Sequence, residues 1–200
     1  MSAEEFMVWA EAQPREAGKF ELWDGEVIMT RGPSDGPSEL QSERSQHWDA
    51  KGIIFAAFRD AIKQAKLPCH AVVDGASVKL LSLGQTAKGK DRVVEPAVLV
   101  YCGPKVRRDE FAVPNPLIVV EVLSPGTANF VATGKMDGYF KHPSIQHYLV
   151  VNADKPLVVH HQRSTDDAWS TRIVSSGRLL LDPPGLDVDL TEFFELEPEA

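Results

Sequence analysis

The chain has 200 residues, 43% of them hydrophobic and 25% charged, and a formal net charge of −8. That length fits one domain, residues 1–200, with a substantial core. The acidic balance argues against a sequence-independent coat on nucleic acid, which needs a broad basic surface, and leaves room for a local basic groove or a metal-assisted site.

In chain order, MSAEEFMVWAEAQP opens acidic and lacks the basic-then-apolar layout of a secretory signal. Residues 2–13 predict a short helix, with Ser2 as cap and Glu5 completing a capping box. FELWDGEVIMT (20–30) predicts two strands about Asp24-Gly25, a strong hairpin dipeptide. A loop dense in Gly, Pro, Ser and Asp follows at 31–39. Residues 44–66 then carry Ile54, Phe58, Ala61, Ile62 and Ala65 at helical spacing, with His47 three turns before Phe58 on the same stripe.

Strands are expected at 70–82, 93–102 and 117–123, and a helix from about 127 to 141. Strands at 145–154 and 156–163, shorter antiparallel strands and a short terminal helix in LTEFFELE complete the chain. The 127–141 helix joins two apolar strands as a crossover, right-handed if they are parallel. The expected fold class is therefore α/β (α+β): a mixed sheet flanked by helices. No window reaches the roughly 18–20 apolar residues of a membrane span. Cys69 and Cys102 make no framework, so a reducing cytoplasm is the expected location.

The chemistry concentrates in IVVEVLSP (118–125), where Glu121 interrupts a run apolar enough for a strand buried on both faces. An ionised carboxylate is costly there unless something charged answers it. Val131, Lys135 and Tyr139 stack at spacings of four on the next helix, which aims Lys135 at the sheet. Glu121 faces Lys135, a metal ion, or both. Glu95 interrupts VVEPAV in the same way, and carboxylates converging near a lysine suit a divalent cation such as Mg2+. The plain alternative is a satisfied buried ion pair.

These segments resemble, in order and spacing, the Uma2 family, also called DUF820. They are FELWDGEVIMT, RSQH, VVEPAVLV, IVVEVLSPGT, the Lys135–Tyr139 pair, QHYLVVNAD and LDVDLTEFF, and the resemblance spans roughly residues 3 to 196. It implies the PD-(D/E)XK, restriction-endonuclease-like fold, hydrolysis of DNA phosphodiesters with Mg2+ (or Mn2+), and a homodimer. Carried over, it makes Glu121 and Lys135 catalytic, with Glu121 and the carbonyl of Val122 as metal ligands. The chain departs from the pattern where the family's Pro-Asp is Pro96-Ala97, and where an acidic residue four before the lysine is Val131. Glu95, as a catalytic and metal residue, and Asp74, as a metal ligand, are the substitutes at hand. Glu21, Glu26, His47 and Tyr139 are possible accessory residues.

Three functions follow from these readings. The first is a metal-dependent nuclease. The second is an inactive relative that binds DNA or a protein through the same cleft, and the third is a structural homodimer. His160 and His161, adjacent on a strand, should turn to opposite faces. The run Lys105-Val106-Arg107-Arg108 is a candidate phosphate contact or an ordinary solvated patch.

Overall fold

The computed structural model describes residues 1–32, 45–80, 91–107, 110–123, 135–152, 155–165 and 168–194. α1 (Ala3–Glu11) starts from the expected capping box: Glu5 N–H donates to Ser2 Oγ (3.1 Å) and Ser2 N–H to the Glu5 carboxylate (2.8 Å). It buries Phe6 against Leu22 and Val93, with Trp9 set edge-on to Phe20. β1 (Lys19–Trp23) and β2 (Glu26–Arg31) form the hairpin, and Asp24 and Gly25 both take the positive φ that a tight two-residue turn requires. α2 (Ser45–Ala65) is the long amphipathic helix.

The expected strands at 70–82 and 93–102 are each broken in two. β3 (Cys69–Val73) and β6 (Val98–Cys102) lie in a six-stranded sheet of order β10-β9-β8-β7-β6-β3, whereas β4 (Val78–Leu80) and β5 (Arg92–Val94) lie in a four-stranded sheet of order β2-β1-β5-β4. Local chemistry explains both breaks. Asp74 and Gly75 adopt left-handed φ, and Pro96 has no N–H to give a ladder. The two passages between sheets run side by side, since Asp74 N–H donates to Ala97 O (3.1 Å) and Gly75 N–H to the Glu95 carboxylate.

β7 (Pro116–Leu123) pairs antiparallel with β6 and parallel with β8 (His147–Asn152), the one parallel pairing among the described strands of that sheet. β9 (Leu157–Thr165) and β10 (Ala168–Val174) extend it antiparallel. α3 (Met136–Lys141) falls within the helix expected at 127–141, and residues 127–134 of that expectation, Val131 included, lie outside the described residues. A third sheet pairs β11 (Arg178–Leu181) with β12 (Leu186–Asp189), ahead of a 3-10 turn at Leu190–Phe193.

One face of the six-stranded sheet packs Val100, Ile118, Val120 and Leu149 on Ile54 and Phe58 of α2 and on the β11–β12 hairpin. The other packs Leu99, Val119, Tyr148 and Val150 against Val94, Leu80 and Tyr139. Each such fully buried side chain contributes about 1.5–3 kcal/mol. Gly138 lets α3 lie on β4, because a Cβ there would collide with the Leu80 side chain.

Two polar features tie the edges. Cys69 and Cys102, opposed across β3 and β6, form a disulfide, so the cysteines that made no framework on sequence grounds join two strands. Beneath the β11–β12 hairpin, Arg172 Nε donates to His160 Nδ1 (3.1 Å), His160 Nε2 meets His147 Nδ1 (3.0 Å), and His147 Nε2 meets Pro183 O (2.9 Å). Only one tautomer satisfies the whole chain: His160 and His147 both carry the proton on Nε2. No helix among the described residues is long and apolar enough to cross a membrane.

Candidate active site

Alternation along β1 turns Lys19, Glu21 and Trp23 to one face, and alternation along β7 turns Val119, Glu121 and Leu123 to one face. The end of α3 brings Lys135 and Tyr139 over both. Lys135 Nζ stands 2.8 Å from Glu21 Oε1 and 3.1 Å from Glu121 Oε1, and it also donates to Glu95 O at 3.3 Å. The Tyr139 hydroxyl donates to Glu121 Oε1 (2.8 Å). Glu21 further accepts Trp23 Nε1–H on Oε2 (3.1 Å) and Glu95 N–H on Oε1 (3.0 Å). Glu21, Glu121 and Lys135 are 1%, 5% and 5% exposed, so this is a desolvated cluster of two carboxylates about one ammonium.

Its electrostatics follow from that count. Burial raises the pKa of Glu121, opposed by the Lys135 charge and reinforced by Glu21. Burial by itself would lower the pKa of Lys135, but the charges of Glu121 and Glu21 outweigh it and the ammonium is held more firmly than usual. Tyr139 is pushed well above the ordinary phenol value by burial and by the same carboxylates, which keeps it a hydrogen-bond donor.

A second, shallower ionic cluster adjoins the first. Lys19 Nζ lies 3.0 Å from Glu95 Oε1 and 3.6 Å from Asp74 Oδ1, and Lys51 Nζ lies 3.2 Å from the same Asp74 oxygen. Burial opposes the charge on Lys19, and Glu95 and Asp74 more than restore it.

The structure thus brings Glu121, Lys135, Glu21 and Tyr139 together. Glu95 divides: its backbone touches the first cluster and its carboxylate turns to the second, where Asp74 also lies. Val122 packs its side chain into the α2-facing core. Glu26 is exposed at the start of β2, in register with Trp23. The side chain of His47 lies outside the described residues. Ala97 follows Pro96 at the end of β6 nearest Glu121 and belongs to the α2-facing core. His160 bonds His147 and Arg172, while His161 bonds Thr171 and stacks on Tyr148.

Sequence reasoning missed Lys19, Lys51 and Trp23. Their signals were present: Lys19 and Trp23 share the parity of Glu21, and Lys51 precedes Ile54 and Phe58 by three and seven residues on the buried stripe of α2.

A divalent metal ion does not fit this arrangement as it stands. Among the described residues, no three of His, Cys, Asp and Glu are grouped so as to hold one. The carboxylates are already engaged: Glu21 and Glu121 by one ammonium, Glu95 and Asp74 by two others. What the cluster can do is hold a fixed, water-excluded charge pattern at the end of β7.

Comparison with known proteins agrees with this geometry at the level of the fold. A family profile described as "Uma2: Putative restriction endonuclease" matches residues 3–196. An uncharacterized protein of Synechocystis sp. (strain PCC 6803) is 26% identical over 171 residues, covering 84% of this chain and 77% of that one. A crystal structure titled a "putative nuclease belonging to DUF820", from Anabaena variabilis ATCC 29413, superposes with a TM-score of 0.67 at 14% identity over 97% of each chain, a likeness of fold.

Proposed function

The chain belongs to the Uma2 family of restriction-endonuclease-like proteins, and from that premise we propose that it acts on DNA with a weakened hydrolytic centre. In this reading the family reaction, phosphodiester hydrolysis with Mg2+ or Mn2+, is weak or lost here, and binding outlasts cleavage. One observation carries the reading: the Lys135 ammonium occupies both carboxylates, Glu21 and Glu121, while Ala97, which stands for the family's aspartate, packs in the α2-facing core. A methyl group supplies no metal ligand. The lysine, answering two buried carboxylates, stabilises the cluster without any metal.

A nicking assay on supercoiled plasmid, run beside metal titration calorimetry, tests this. The wild-type chain should nick slowly or not at all in Mg2+ or Mn2+, and should retard DNA in a gel without metal. Ala97→Asp should raise Mn2+ affinity, and Glu121→Ala added to it should remove the gain. Fast metal-dependent nicking by the wild type, lost in Glu121→Ala, would overturn the weakened-centre reading in favour of an active nuclease.

A homodimer in the cytoplasm belongs to the same proposal. β10 supports the dimer: it forms an edge of the six-stranded sheet and leaves Ile173 67% exposed. Light scattering on the purified chain decides it, since a mass near 22.0 kDa would mean a monomer.

A further inference from the structure

Beside the buried cluster, a cleft of about 560 Å³ opens between α1, β1 and the two passages that follow β3 and β5. Phe6, Phe20 and Phe111 give it aromatic walls, and Lys19, Arg31 and Glu95 bring charge to it. Phe111 is 44% exposed. Its backbone is nonetheless pinned: Ser77 N–H donates to Phe111 O (2.8 Å) and Val113 N–H to Ser77 O (2.9 Å). The ring is therefore presented by an anchored segment.

We propose that this cleft seats one unpaired nucleotide of a nucleic-acid strand, its base stacked on Phe111 and its phosphate on Arg31. The inference rests on the DNA-directed reading above and narrows it to single-stranded or locally opened substrate. Aromatic faces beside cations are how single strands are held, because every base offers a π-face and every link a phosphate. A base inside a duplex is already stacked and must be flipped out to reach such a ring. The volume suits one small ligand unit. Charge in the cleft is the opposing consideration, since Glu11, Asp74 and Glu95 also line it. Asp74 and Glu95 are answered by Lys51 and Lys19, so the floor is close to neutral and stacking leads the binding. The place is apt, because Glu95 lines the cleft while its backbone holds Glu21 and Lys135.

Fluorescence anisotropy with labelled oligothymidylate and with a hairpin duplex, without metal and at low salt, tests the proposal on the full chain. Single strand should bind more tightly than duplex. Phe111→Ala should weaken single-strand binding about 5- to 150-fold and leave duplex binding unchanged. Phe111→Trp should restore it, and Arg31→Ala should flatten its salt dependence. If nucleic acid binds but Phe111→Ala and Arg31→Ala leave single-strand affinity unchanged, the cleft inference falls and the DNA-directed reading stands. If neither oligonucleotide binds, both fall.

Discussion

At the scale of single residues, the cluster is a problem in charge balance. Glu21 and Glu121 share one ammonium, so Lys135→Met leaves two buried carboxylates without a cation. That variant should lose about 3–5 kcal/mol in urea unfolding. Tyr139→Phe removes one donor to a charged acceptor, at a cost of about 1.5–3 kcal/mol. Because Tyr139 also packs in the core, the phenylalanine keeps the ring contacts and isolates the hydroxyl. The histidine chain makes a pH prediction. Burial lowers His147 to about 4 and His160 to about 3, below the ordinary value of 6.5. Groups depressed in the folded state contribute stability that is full above pH 6.5 and lost as pH falls toward those values. Each unit of separation is worth about 1.4 kcal/mol. Glu121 shifts the other way, and a raised carboxylate favours the fold at lower pH. Unfolding midpoints measured from pH 7 to pH 4.5 should therefore fall, and fall less steeply in His160→Asn. An equal slope in that variant would mean the rings are not the source.

Elements show which parts of the chain were legible in its sequence. The capping box of α1, the Asp24-Gly25 hairpin and the stripe on α2 are local patterns, and each folds as local chemistry dictates. The meeting of Glu121 with Lys135 was legible for the same reason, since the crossover from β7 to α3 is one local connection. Residues 70–82 and 93–102 read as unbroken strands because their apolar pattern continues through Asp74-Gly75 and Glu95-Pro96. What the pattern does not carry is that the chain changes sheets at those points. That is a long-range event, and so is the arrival of Glu21 from β1 at a lysine 114 residues away. The same limit hid Lys19 and Lys51, whose partners come from other elements. Gly138 tests how α3 is seated. Gly138→Ala drives a methyl into Leu80, and should cost about 1–3 kcal/mol by overpacking. Leu80→Val in the same chain should recover part of that loss. A stable Gly138→Ala with unchanged DNA binding would show that α3 can shift without consequence.

For the whole molecule, the net charge of −8 sets the terms of any encounter with DNA. Long-range attraction is weak, so binding should depend on local contacts and decline with salt by a small slope. The Cys69–Cys102 disulfide bears on the proposed location, since a reducing cytoplasm would open it. With the cysteines 33 positions apart in sequence, closing that loop is worth about 3–4 kcal/mol in the chain-entropy account. Thiol counting after alkylation in lysate, compared with unfolding in the presence and absence of reductant, measures both. Two alkylated cysteines in a stably folded chain would support the cytoplasm and make the disulfide incidental. An unreactive pair would place the protein where oxidation persists.

Glu95 belongs to two neighbourhoods at once, its amide and carbonyl engaged on one side and its carboxylate on the other. A ligand that draws Lys19 away from that carboxylate loosens a residue whose main chain braces Glu21 and Lys135. Occupancy of the open cleft should thereby be felt inside the sealed cluster through a single residue.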